Sequence, residues 1–191
     1  MKQIPLTLRR WTRTEYDRLV DLGLLHGEPV ELVGGQLVVA EPQGSHHASA
    51  LGNAADVLRA LLPPGWLVRI QMPVALDDES EPEPDLAVVP GAWANYRAGH
   101  PSRPALVVEV AESSLAFDRK DKASLYACGG VRDYWIINLV DRTLEVYRDS
   151  GPDPAAPFGW RYRTVEQLGP AAAVSPLALP AVRVAVSDLL P

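Results

Sequence analysis

The stretch Pro104-Ala105-Leu106-Val107-Val108-Glu109-Val110-Ala111 decides the reading of the fold. Its near-continuous apolar run suits a central strand covered on both faces, because a strand with one wet face alternates apolar and polar residues. A glutamate stands inside it. An unpaired carboxylate there costs roughly several kcal/mol or is driven to take up a proton. Glu109 should therefore have a partner: a metal, a Lys or Arg, or hydrogen-bond donors. A structural salt bridge or edge exposure is the other reading.

Downstream, residues 118–128 read as a helix closed by Gly129-Gly130, and 134–139 with 143–147 as a hairpin around Val140-Asp141-Arg142. Upstream, 66–72 and 86–89 read as strands. The acidic run 77–84 between them is too polar and Pro-rich for a sheet centre. Residues 93–103 read as a loop or short helix. Apolar residues recur at helical spacing through His47, Leu51, Ala54, Leu58 and Leu61, which predicts a helix over 46–62 ended by Pro63-Pro64-Gly65. Residues 30–40 carry two apolar strands around a Gly34-Gly35 turn. Thr12 and Glu15 form a capping box for a first helix over 12–22, with Gly23 as its stop. Helix, hairpin, helix, strands, helix, hairpin and tail make an α/β (α+β) domain with a mixed sheet. One domain is expected over 1–191. Its Pro/Ala-rich extension, about 150–191, has short strand-like pieces at 161–165 and 182–186 and could serve as a dimerisation arm or a partly mobile cover.

A chain of 191 residues can bury about two-thirds of its extended surface and needs no disulfide. Cys128 is the single cysteine, which rules out an internal bridge and a cysteine-rich zinc cluster. The N-terminus lacks the apolar core of a signal peptide, and no apolar stretch reaches membrane-spanning length. A cytoplasmic location without membrane association is expected. Lys and Arg number 18 against 24 Asp and Glu, a formal charge of −6. That argues against a general nucleic-acid coat protein. It leaves room for an enzyme whose divalent metal offsets a carboxylate cluster and whose basic residues form a local patch.

Other residues invite chemistry. Asp85 follows Pro84 and opens the apolar run 86–89, so it can face a cleft or merely end a solvated acidic loop. Glu31 lies in an apolar strand, as a third carboxylate of the site or as the wet residue of an alternating strand. Lys122 has Leu125 and Tyr126 at i+3 and i+4, so its face is partly apolar. It could lie over a cleft, or pair with Asp118 or Asp121 at the surface. His47 heads the inward side of its helix, where a core or cap histidine is the usual case. No HExxH, CxxC, GxGxxG or Walker pattern is present. Ser113-Ser114 lacks a nucleophile elbow.

Four stretches match a known pattern in order and spacing. They are Glu31-Leu32-Val33-Gly34-Gly35-Gln36-Leu37-Val38, Glu83-Pro84-Asp85-Leu86-Ala87-Val88-Val89, Val107-Val108-Glu109-Val110-Ala111-Glu112-Ser113-Ser114, and Asp118-Arg119-Lys120-Asp121-Lys122 continuing through Tyr126 to Ile136. In these the chain resembles the bacterial Uma-type family of restriction-endonuclease-like proteins, a branch of the PD-(D/E)XK nuclease-like fold. The resemblance covers about 12–147, and more loosely the rest. It implies a restriction-endonuclease-like core and a metal-dependent endonuclease that hydrolyses phosphodiester bonds in DNA, leaving 5′-phosphate and 3′-hydroxyl ends.

By that resemblance Asp85 is the acid of the PD motif, Glu109 the second acid and Glu31 an early acid completing a Mg²⁺ site, with Mn²⁺ as a substitute. The usual lysine two residues after the second acid is absent, since Ala111 stands there, and its role passes to Lys122. His47 matches a position near the active centre. The resemblance also implies a homodimer, and Arg69, Arg97, Arg103 and Arg119 are candidates for gripping DNA around the cleft. The alternative is a catalytically degenerate nuclease-fold protein that binds nucleic acid or a protein partner.

Overall fold

The computed structural model describes residues 7–40 and 42–191. Met1 to Leu6, on which part of the signal-peptide reading rests, lie outside the described residues. Along the chain run α1 (Arg13–Asp21), β1 (Val30–Val33), β2 (Gln36–Val39), α2 (Ser45–Leu61), β3 (Trp66–Ile70), β4 (Leu86–Pro90) and β5 (Leu106–Ala111). Then follow α3 (Leu115–Phe117), a π-helical turn (Asp118–Lys122), α4 (Ala123–Cys128), β6 (Tyr134–Asn138), β7 (Thr143–Pro152), β8 (Trp160–Leu168), β9 (Ala173–Val174), β10 (Val184–Ala185) and α5 (Val186–Leu189).

Strands β3 to β8 form one mixed sheet in chain order, flanked by helices. Only β5 and β6 are parallel; the other neighbours are antiparallel. A parallel step requires the chain to cross over the sheet, and α3, the π turn and α4 make that crossing. All six residues of β5 are buried, as its composition predicts. Val108 and Val110 pack with Ala50, Leu51, Ala54 and Leu58 of α2. Val107 and Ala111 face the other way, against Ala123, Tyr126 and Ala127. The crossover therefore covers the face toward which Glu109 points.

The capping box of α1 forms as expected, with Thr12 and Glu15 bonded reciprocally. The β1–β2 hairpin turns on Gly34 and Gly35, both at positive φ (54° and 75°), which glycine adopts without a Cβ penalty. Helix α2 buries Leu51, Ala54 and Leu58 as expected; Ala50 and Ala55 join them, and Leu61 at its end is exposed. The acidic run is less solvated than expected, because Glu81 donates its N–H to Leu32 O at 2.8 Å and is buried with Ser80.

The largest departure is the tail. Val174, Val184, Val186, Leu189 and Leu190 belong to the main core, so this segment is neither a free arm nor a mobile cover. Buried Asp133 ties it down, accepting from Leu177 N–H at 2.8 Å and from the Arg148 guanidinium at 2.8 and 3.3 Å. Among the described residues, no helix is long and apolar enough to cross a membrane.

Candidate active site

Strand β4 meets β5 with Leu86 opposite Val108 and Ala87 opposite Val107. Continuing that register by one residue sets Asp85 opposite Glu109. The Asp85 N–H donates to Glu109 Oε2 at 3.1 Å, and the Val110 N–H donates to Asp85 Oδ2 at 2.8 Å. His47 Nε2, from the first turn of α2, lies 3.0 Å from the same Oδ2. Asp85 Oδ1 is less committed: its neighbours are the amides of Gln43 and Gln71 at 3.4 and 3.5 Å.

The other oxygen of Glu109, Oε1, faces the crossover. It accepts from Lys122 Nζ at 3.0 Å and from Tyr126 Oη at 2.7 Å. Lys122 and Tyr126 are four residues apart, so one helix face delivers both. Lys122 Nζ also lies 3.4 Å from Glu31 Oε1, while Glu31 Oε2 accepts the Glu83 N–H at 2.9 Å. Asp118, at the start of the π turn, is buried and accepts from Ser114 Oγ at 2.5 Å. Inserted π turns of this kind are rare and favour functional positions.

These groups line a cavity of about 720 Å³ whose wall, among the described residues, carries Glu31, Glu83, Asp85, Glu109, Glu112 and Asp118 against His47 and Lys122 as cationic side chains. The surplus of acid shows in the protonation equilibria. Burial pushes Glu109 up to about 8, against the pull of Lys122, and Asp85 and Asp118 add to the rise. Burial likewise pushes Asp118 up to about 6, opposed by Lys122 and the Ser114 bond. For Lys122 burial favours the neutral amine, but the charges of Glu109, Glu31 and Asp118 override it and hold the ammonium far above its ordinary value. Burial also opposes protonation of His47, yet its bond to Asp85 and that residue's charge leave it raised. One buried ammonium does not balance so many carboxylates, an imbalance of the sign that a divalent cation would offset.

The donor chemistry suits such an ion. Asp85 and Glu109 offer hard oxygens, and Mg²⁺ is commonly held by one or two carboxylates with waters filling its octahedron. Among the described residues, no group of three or more His, Cys, Asp or Glu side chains is spaced to share one ion. The fit is therefore to a pair plus water, and the Glu31 carboxylate is engaged by Lys122 and Glu83 instead.

The five residues singled out in the sequence, Asp85, Glu109, Lys122, Glu31 and His47, converge on this cavity. The arginines do not. Arg69 is buried with its guanidinium 5.9 and 5.7 Å from the Trp93 and Tyr96 rings. Arg119 is bonded to Glu145, and Arg103 lines a separate cavity. None of the four, Arg97 included, lines the acidic cleft. Sequence reasoning overlooked Tyr126 and Asp118 as site residues. Tyr126 was read as apolar support for Lys122, and its phenol was the available signal.

The Uma2 sequence family, described as "Putative restriction endonuclease", matches residues 13–187. Among solved structures the chain is similar to a crystal structure described as a "putative nuclease belonging to DUF820" from Anabaena variabilis ATCC 29413. The identity is 18% and the TM-score 0.60, over 84% of this chain and 88% of that one. At that identity the likeness concerns the fold. No curated protein matches the chain. The family match supports a nuclease.

Proposed function

This chain belongs to the Uma2 family, and from that premise we propose that it is a metal-dependent endonuclease acting on DNA, with Asp85 and Glu109 holding Mg²⁺ or Mn²⁺. The observation that carries the proposal is Lys122 Nζ at 3.0 Å from Glu109. Ala111 leaves the usual lysine position empty of charge, and the crossover helix brings an ammonium to the second acid from another direction.

A divalent ion held there supplies Lewis-acid activation of a water and offsets charge on the scissile phosphate. The chain's own residues prepare the rest. The Val110 N–H and His47 fix the Asp85 carboxylate, and Tyr126 and Lys122 fix that of Glu109. The Lys122 ammonium lies where it can orient the attacking water or stabilise charge developing on phosphate oxygens. Glu31 holds Lys122 from its far side. Water adds to phosphorus as the bond to the 3′ oxygen breaks, leaving 5′-phosphate and 3′-hydroxyl ends. A homodimer would set two such clefts against the two strands of a duplex.

Supercoiled plasmid incubated with Mg²⁺ or Mn²⁺ tests the reading. Nicking or linearisation is expected from the wild type, and loss of on the order of a thousandfold in the Asp85→Ala and Glu109→Ala proteins. No cleavage of duplex DNA, single-stranded DNA or RNA with any divalent ion would favour the degenerate binder. The acid surplus of the cleft and the placement of the four arginines outside it speak for that second reading.

A further inference from the structure

We propose that Lys122 is a built-in second cation, so that the cleft takes one divalent ion per chain rather than two. The inference rests on the reading of Asp85 and Glu109 as the ion-holding pair and extends it to the number of ions.

Sites that use two ions place them about 3.5–4 Å apart. A carboxylate that presents one oxygen to each ion is suited to bridging them. Glu109 has that disposition here. Its Oε2 faces Asp85, accepting that residue's N–H at 3.1 Å, and its Oε1 faces Lys122 at 3.0 Å. Beyond Lys122 stands Glu31, with Oε1 3.4 Å from Nζ. The position between Glu109 Oε1 and Glu31 Oε1 is where a second ion would find its carboxylates, and the ammonium fills it.

The lysine is also hard to displace. Its side chain is 11% exposed, and the two glutamates that hold it are 4% and 7% exposed. A second divalent ion would have to expel a tethered cation from a buried position, where removing one partner of an ion pair leaves the other uncompensated. A lysine in the helix thus supplies permanently the charge that a second metal would supply only at sufficient concentration. Glu31 becomes a positioning residue for Lys122 in this scheme.

Counting bound Mn²⁺ on the full chain tests the proposal, by equilibrium dialysis and by electron paramagnetic resonance. Wild type is expected to bind one ion with an uncoupled spectrum. Lys122→Met is expected to bind two, with the broadened spectrum of a pair bridged by Glu109. Adding Glu31→Gln to that variant should return the count to one. Lys122→Gln, neutral and shorter than the lysine, provides a second replacement should the methionine protein not fold. Two ions on the wild type, or a single ion on folded Lys122→Met and Lys122→Gln at saturation, would overturn the proposal while leaving the Asp85–Glu109 pair intact. No ion on the wild type would overturn the pair itself, and the second-cation role with it.

Discussion

Glu109 and Glu145 occupy the same row of the sheet and meet opposite fates. Ile136 of β6 pairs with Glu109 on one side and with Glu145 on the other, so the two acids lie two strands apart, about 10 Å. Each is 3% exposed. A single π turn serves both, sending Arg119 to Glu145 and Lys122 to Glu109. Around Glu145 the account closes. Arg119 Nε lies 3.2 and 3.1 Å from its two oxygens, Asn138 Nδ2 donates to Oε1 at 2.8 Å, and Tyr147 Oη donates to Oε2 at 2.8 Å. Burial alone would raise this carboxyl, but those bonds outweigh it and leave it lowered. Around Glu109 further carboxylates crowd in, and it rises to about 8. A buried acid is therefore not in itself the mark of a reactive site. The mark is a buried acid whose neighbours do not balance it.

The largest expected effects separate the two directly. Glu109→Gln should lower DNA cleavage on the order of a thousandfold while changing the urea midpoint little, because the residue it replaces is already ill at ease as an anion. Arg119→Ala should do the reverse. It leaves Glu145 without its half-exposed cation but with its Asn138 and Tyr147 donors, costing about 1–3 kcal/mol in urea unfolding, while cleavage per folded molecule persists. Equal destabilisation by the two substitutions would erase the distinction.

A pH series sharpens it next. Glu109 has a folded value raised from 4.5 to about 8. In the ion-free protein its contribution to stability is full below about 4.5 and is lost as pH rises through about 8. Glu145 has a lowered value, so its contribution is full above 4.5 and fades as pH falls through the folded value. Thermal melts of ion-free protein should show the decline toward pH 8, and Glu109→Gln should flatten it. Mn²⁺ affinity should climb by about tenfold per pH unit below the Glu109 value, since the ion displaces one proton. A pH-independent affinity between 5 and about 8 would contradict the raised carboxyl.

The smallest effects come from the tyrosines. Tyr126→Phe and Tyr147→Phe each remove one hydrogen bond to a buried glutamate, worth about 1–2 kcal/mol. Only Tyr126→Phe should move the pH midpoint of Mn²⁺ binding, and the movement should be upward, because the phenol favours the ionised form of Glu109. A like shift from Tyr147→Phe would show that the two acids are coupled through Tyr134, whose ring centroid lies 5.0 Å from that of Tyr126 and 5.4 Å from that of Tyr147.

Much of the fold was legible along the chain. The β5 run, the Gly34-Gly35 turn and the Thr12 capping box are local patterns, and each formed where it was read. In the tail the short strands read at 161–165 and 182–186 form within β8 and at β10, but the packing of the segment was not legible. Its core residues are isolated among prolines and alanines, and only the surface they cover reveals them as core. Asp85 and Glu109 were joined by family pattern, and the β4–β5 register supplies the physical link. Glu145 sits between Leu144 and Val146 as Glu109 sits between Val108 and Val110, so the argument from an apolar setting extends to Glu145, which the sequence reading did not single out.

The sequence by itself determined where most of the strands and helices before the tail form, and that a charged residue is buried in a central strand. Those are consequences of periodicity over a few residues and of the cost of desolvating a carboxylate. Only the tertiary structure decided which buried acid is balanced by its neighbours and which shares one ammonium with other carboxylates. Lys122 reaches Glu109 across 13 residues and Arg119 reaches Glu145 across 26, through a crossover whose π turn sends two of its cations to different acids. Charge balance depends on distance in space, and no reading of neighbours along the chain contains it.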